Sequence, residues 1–272
     1  MNTKKVVLIT GASSGIGKAT ALELAQKGYT VYASARRMEK MKDLEPIGIK
    51  LLAMDVTKDE SMVEGVNTIL GNEGRIDGLV NNAGYGSYGA LEDVPLSEGK
   101  YQFEVNLFGL ARLTQLVIPQ MRKQKSGHII NVSSIGGKAG EPLGSWYHAT
   151  KFAVEGLSDS IRMELKQFGI KVVIIEPGAI NTEWSGIASE GLINTSGNTA
   201  YSQLVKGHQK MWENAFKWGS KPEVIAKTIA KALKSKNPKT RYAAGGGACM
   251  FLFLKTILTD KLFDRFMLSM MK

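Results

Sequence analysis

The sequence predicts an α/β fold: a doubly wound, mostly parallel sheet of about seven strands with helices on both faces, in three layers. Three observations carry the prediction. A continuous apolar run at 5–10 reads as a strand buried on both sides, as in a parallel sheet, and further strands are read at 127–132 and 171–176. Helical stretches alternate with such runs along most of the chain, the pattern of repeated strand–helix–strand units. A glycine-rich turn joins the first run to the first helix. The 272 residues, 43% hydrophobic and 8% aromatic, contain no repeat or Pro/Ser-rich linker, so one domain over 1–272 is expected.

Composition narrows the function classes. Cys249 is the sole cysteine, which excludes an internal disulfide and suits a reducing, cytoplasmic setting. Met1 to Lys5 leads directly into a short strand, so no signal peptide is expected. The net charge of +10 is spread along the chain with no nucleic-acid-binding motif, and attraction to an anionic cofactor is the preferred meaning. His128, His148 and His208 show no metal-ligand spacing, and no metal is expected.

Residues 5–10 form the first strand. Gly11, Ser13, Ser14, Gly15, Ile16 and Gly17 then turn into a helix, Ala19 to Lys27, that stops at Gly28. A strand, a glycine turn and a helix start make an anion cradle: glycines admit phosphate oxygens close to the backbone, and the helix N-terminus points free N–H groups at them. The spacing G-x-x-x-G-x-G over 11–17 resembles that of the short-chain dehydrogenase/reductase family, and later matches extend the resemblance over roughly residues 5–182. It implies a Rossmann-type sheet binding a nicotinamide dinucleotide.

The second strand, Tyr29 to Ala35, ends in Arg36-Arg37, with no acid between Thr30 and Met38. An acid there binds a ribose 2′-hydroxyl, whereas a guanidinium fork binds a 2′-phosphate, so NADP(H) is the predicted cofactor, with Lys18 as a further positive charge. The third strand, Ile49 to Met54, ends in Asp55-Val56. The resemblance implies that Asp55 binds the adenine amino group and that Val56 packs beside the ring; a helix cap by Asp55 is compatible with this. A helix over 58–73 and a strand from Ile76 to Val80 lead to Asn81, Asn82, Ala83 and Gly84, implied to brace the sheet and border the nicotinamide ribose.

Residues 97–125 read as one long amphipathic helix containing Asn106, a mediocre helix former that asks for a reason. One reason is a hydrogen bond to a neighbouring helix; the resemblance implies instead a water linking the active-site lysine to solvent. The fifth strand, Gly127 to Val132, ends in Ser133-Ser134. The family's active hydroxyl commonly stands thirteen residues before its tyrosine, which selects Ser134 and leaves Ser133 as the lesser candidate. Neither serine lies in a nucleophile elbow or has a well-placed histidine, so a hydrolase is excluded.

A helix over 145–168 sets Tyr147 and Lys151 four apart, on one face. A free phenol ionises near pH ~10. A cation about 4 Å away contributes roughly 4 kcal/mol at an effective dielectric near 20, on the order of three pKa units in favour of phenolate. The resemblance implies that Tyr147 is the proton donor, with Lys151 tuning it and binding the nicotinamide ribose. The sixth strand, Lys171 to Glu176, runs into Pro177, Gly178, Ala179, Ile180, Asn181 and Thr182. There the resemblance implies carboxamide binding by the Ile180 backbone and the Thr182 hydroxyl; a Pro-Gly turn with Thr182 capping the next helix is the plainer reading.

Residues 183–221 break the alternation and carry Trp184, Met211, Trp212, Phe216 and Trp218. A lid over an apolar substrate and a loop anchored by its aromatics both fit. A helix over 222–235 and a strand from Thr240 to Ala243 follow. Between Arg241 and Lys255 thirteen residues lack charge, short of the ~20 that span a bilayer. The tail over 248–271 is therefore read as an amphipathic helix packed on protein, over the pocket or a subunit contact, with peripheral attachment to a membrane surface second.

The expected activity is NADP(H)-dependent interconversion of a carbonyl and an alcohol on a lipophilic substrate such as a steroid or retinoid. Gly84 to Tyr88 and the tail are similar to the steroid- and retinol-dehydrogenase branch of the family. A homodimer or homotetramer through the helices at 97–125 and 145–168 is implied. Two other readings remain: a sugar-nucleotide epimerase-like enzyme, whose usual glycine motif is shorter and C-terminal domain larger, and an NADP-sensing regulator, which commonly lacks the Tyr or the Lys.

Overall fold

The computed structural model describes residues 4–272. The chain runs β1 (Val6–Thr10), α1 (Gly15–Gln26), β2 (Thr30–Ala35), β3 (Lys50–Ala53), α2 (Asp59–Glu73), β4 (Gly78–Asn81), α3 (Leu96–Phe103), α4 (Gly109–Lys123), β5 (Gly127–Val132) and α5 (Ser145–Leu165). It continues through β6 (Ile170–Pro177), α6 (Glu183–Ser196), α7 (Ser202–Lys217), α8 (Pro222–Lys234), β7 (Arg241–Ala244), α9 (Ala248–Ile257) and α10 (Asp260–Met270). The seven strands form one parallel sheet in the order β3-β2-β1-β4-β5-β6-β7. The strand order reverses between β1 and β4, and a crevice opens there at the strands' carboxyl ends.

Successive strand side chains point to opposite faces, so each apolar run feeds two cores. Val7, Ile9, Val31 and Ala33 pack with Leu24 of α1 and with Ile225, Ile229 and Leu233 of α8. Val6, Leu8, Leu79 and Ile129 pack on the other side with Val66, Leu113, Val117 and Leu165 from α2, α4 and α5. Burying each such side chain contributes roughly 1.5–3 kcal/mol, and it explains the apolar stretches Val6–Ile9, Leu79–Val80 and Ile129–Ile130.

The expected single helix over 97–125 is interrupted: α3 and α4 are joined by a π-helical turn at Glu104–Phe108. Asn106 is the cause we assign, because its amide turns inward to bond the Tyr85 backbone and Thr150. The tail is two helices with a break at Leu258 and Thr259, so the single tail helix is corrected. Phe263, Met267 and Met271 are buried with Leu192, Val205 and Trp212 of α6 and α7, so the tail packs on its own chain. Among the described residues no helix is long and apolar enough to cross a membrane.

Candidate active site

The turn after β1 is shaped by what a side chain would strike. Gly11 has φ 67°, in the left-handed region, and a Cβ there would lie 2.8 Å from the Ala83 Cα. At Gly17 a Cβ would lie 2.2 Å from the Gly11 carbonyl oxygen and 2.6 Å from Asn82 Nδ2. The turn is pinned from β4: the backbone N–H groups of Asn82 and Ala83 both donate to Thr10 Oγ1 at 3.0 Å, and Asn82 Nδ2 donates to the Thr10 and Gly11 carbonyls. Ser14 caps α1 without a side-chain hydrogen bond, so the helix start keeps N–H groups for an anion. This bare cradle fits a dinucleotide pyrophosphate.

One cleft of about 810 Å³ collects the expected binding residues. Gly11, Ser13, Ser14, Gly15 and Ile16 line it with Arg36, Arg37, Asp55 and Val56. Asn82, Ala83, Gly84, Pro177, Gly178, Ile180 and Thr182 line it from the strands beyond. Gly17 stands behind the turn as the contact that lets it close. Arg36 is steadied by a hydrogen bond from its Nη1 to the Tyr101 hydroxyl at 3.1 Å. Lys18 is a correction: its amine pairs with Asp43 at 2.8 Å, because the segment Met38–Ile47 brings a carboxylate against it. Asp55 Oδ1 accepts from the Thr57 backbone N–H and hydroxyl, so it organises the turn before α2. Thr182 caps α6, its hydroxyl accepting from Trp184 N at 3.3 Å.

Ser134, Tyr147 and Lys151 line this same cleft. Ser134 Oγ accepts from the Gly136 N–H at 3.0 Å. Lys151 is buried and donates from Nζ to the Val132 carbonyl at 3.0 Å, with Nζ 5.8 Å from the Tyr147 ring centre. Burial lowers the Lys151 pKa to about 8, opposed by the Glu155 charge. Burial pushes the Tyr147 phenol up to about 12, with a hydrogen bond to Ser134 lowering it and the Glu141 charge raising it further. The expected phenol made acidic by a close cation is therefore corrected. The amine is turned to Val132, and desolvation dominates the phenol.

Asn106 Nδ2 donates to the Tyr85 carbonyl at 2.9 Å and to Thr150 Oγ1 at 3.1 Å, while its Oδ1 accepts from Tyr85 N. Its side chain thus makes three of the four hydrogen bonds open to an amide, both N–H groups included. Behind Lys151, Glu155 receives Lys138 at 2.7 Å and Arg241 at 2.9 Å.

Past Tyr147 the cleft becomes aromatic. Tyr88 stands 4.8 Å from Trp212, 5.5 Å from Tyr147 and 6.0 Å from Trp184 between ring centres. Phe251, Leu254, Phe266 and Met267 of the tail close the same space. Glu141 and His148 also line it, and sequence reasoning missed both as site residues. A signal existed: Glu141 falls between Ser134 and Tyr147, and His148 adjoins Tyr147.

Comparison with known proteins agrees with this geometry. The short chain dehydrogenase family matches residues 5–192. The chain is 39% identical over 242 residues to a 3-ketodihydrosphingosine reductase of Bacteroides thetaiotaomicron, covering 89% of this chain and 88% of that one. It is 34% identical to an NADPH-dependent 3-dehydrocapnine reductase of Ornithobacterium rhinotracheale, over 96% of this chain and 95% of the relative. A short-chain dehydrogenase structure from Streptomyces avermitilis superposes with a TM-score of 0.82 at 35% identity, covering 97% of this chain and 95% of that one. An alcohol dehydrogenase of the archaeon Thermococcus sibiricus, complexed with 5-hydroxy-NADP, gives 0.72 at 26% identity, covering 89% and 97%. The glycine cradle, the paired arginines and the Ser–Tyr–Lys grouping lead to one conclusion: this chain belongs to the short-chain dehydrogenase/reductase family, as an NADP-dependent oxidoreductase.

Proposed function

We propose that the chain reduces the ketone of a long-chain, lipophilic substrate with NADPH. The observation that carries the reading is continuity: Ser134, Tyr147 and Lys151 sit in one cleft between the glycine cradle and a chamber walled by Trp184, Met211, Trp212 and Phe251. The relatives named as 3-ketodihydrosphingosine and 3-dehydrocapnine reductases support a keto substrate. On this reading α6 and α7 form the lid and the tail its outer cover.

NADPH, when bound, supplies the hydride. Ser134 Oγ already accepts from Gly136, which leaves its own proton to donate to the substrate carbonyl oxygen. Tyr147 gives the proton that completes the alcohol, and a phenol raised to about 12 stays protonated and ready to do so. Lys151 has three N–H donors. One is held by Val132, and the others serve the nicotinamide ribose. The subunit contact follows α4 and α5, beside which Phe108, Phe152 and Met163 are exposed.

The test is loss of NADPH absorbance with long-chain ketones, steroids, retinoids, aldehydes and small ketones. Long-chain ketones are expected to give the highest kcat/KM. Equal use of small water-soluble ketones would remove the chamber's role, and no NADPH oxidation with any of them would overturn the reading.

A further inference from the structure

The apolar chamber holds a charge beside Tyr147 that carbonyl reduction does not use. Glu141 lines the cleft, with Oε1 3.5 Å from His208 Nε2 and 3.8 Å from His148 Nε2. Both approaches are long for a hydrogen bond, and the Tyr88 hydroxyl faces the same carboxylate. His148 Nε2 and both ring nitrogens of His208 are buried without a partner, and His208 is wholly enclosed. His148 Nδ1 lies 2.9 Å from the Gly136 carbonyl oxygen, which can only accept, so Nδ1 carries the ring proton.

A carboxylate facing an apolar chamber is costly unless a positive charge joins it. Nearby lysines are engaged elsewhere: Lys138 pairs with Glu155 at 2.7 Å, and Lys151 donates to Val132 at 3.0 Å. Burial by itself raises the Glu141 pKa, but the two imidazoles more than reverse this and hold the carboxyl well below the usual range. Its negative charge reaches the reacting phenol and helps to raise it. Among the described residues no three His, Cys, Asp or Glu side chains are arranged to hold a metal ion.

We propose that Glu141, with His148 beside it in the cleft, is the subsite for a protonated primary amine carried by the substrate close to its carbonyl, so that the chain acts on a long-chain amino ketone. An ammonium brings three N–H donors and a positive charge to a carboxylate that lines an otherwise apolar chamber. The Tyr147 and His148 rings are 5.5 Å apart, which places the amine within a few bonds of the carbonyl that Tyr147 protonates. The aromatic chamber takes the alkyl chain. This subsite rests on the reading of the chain as a reductase of lipid ketones.

Two measurements separate the subsite from that reading. In the first, the NADPH-driven kcat/KM of a long-chain 2-amino-3-ketone is compared with that of the same ketone lacking the amine, for the parent and for Glu141→Gln. The parent is expected to prefer the amine by roughly 10- to 100-fold, the range for hydrogen bonds to charged groups, and Glu141→Gln to collapse that ratio toward one. An unchanged ratio in a folded variant overturns the subsite while leaving lipid-ketone reduction standing. In the second, dodecylamine and dodecanol are titrated against the parent protein with NADP+, read by quenching of tryptophan fluorescence. Tighter binding of the amine supports the subsite even if Glu141→Gln fails to fold or neither ketone turns over; the latter result would sink the reductase reading. Equal binding of amine and alcohol, or amine binding lost on treatment with a chelator, overturns the subsite.

Discussion

The two ends of the cleft are built by opposite means. At the cofactor end the walls are main chain: Gly11 and Gly17 leave no room for a Cβ, and Thr10, Asn82 and Ala83 hold the turn through a few short bonds. At the substrate end the walls are large side chains drawn from α6, α7, α9 and α10, packed ring against ring around Tyr88. A main-chain wall admits one residue type and recognises what all its ligands share. A side-chain wall can be rebuilt by substitution and decides which ligand enters.

The sharpest way to test that division is at its boundary. Tyr147→Phe should lower kcat by roughly 10²–10⁴-fold, the usual worth of a general acid, with NADPH affinity by fluorescence titration nearly unchanged. Near-parental turnover would remove Tyr147 from the chemistry. Gly17→Ala should weaken NADPH binding at least tenfold, on the order of 1.4 kcal/mol, since its Cβ would meet a carbonyl oxygen at 2.2 Å. Unaltered affinity would show that the cradle yields. Arg36→Asp should move the preference from NADPH toward NADH by roughly 10–100-fold, comparing kcat/KM for the two cofactors.

Phe263→Ala probes the other end. Phe263 is 2% exposed, and its truncation should cost about 3–5 kcal/mol by thermal melting. Substrate KM should rise several-fold while NADPH affinity holds; a parallel loss of cofactor affinity would mean that the two ends are one unit. The smallest effect is on pH. Lys151 loses its charge as pH rises through about 8, so the reduction rate should decline there while Tyr147 remains protonated. The sign for stability is opposite. From about 8 toward the ordinary 10.5 the unfolded chain holds the proton that the folded chain has released, so stability rises with pH across that window.

The first strand was legible because burial on both faces leaves an apolar run, Val6–Ile9, and Gly127–Val132 also falls where the sequence places it. The cradle was legible because close main-chain contact demands glycine at fixed spacing. The π turn was not, since its cause is a tertiary contact from Asn106 to Tyr85 and Thr150 that leaves no periodic mark. Lys18 misled because charge can be read along a chain but its partner, Asp43, cannot. Glu141 and His208 stand far apart in sequence and meet only through the packing of α7, so neither looked unusual alone.

Thr10 accepts from residues 72 and 73 positions further along the chain, and Gly15 faces the Thr182 side chain. During synthesis, then, the nucleotide has no finished seat until well over half of the polypeptide has emerged from the ribosome. Cofactor present at a hundred times its dissociation constant would favour the completed fold by about 2.7 kcal/mol and do nothing for partial chains, making cellular NADPH supply a silent proofreader of this protein's own maturation.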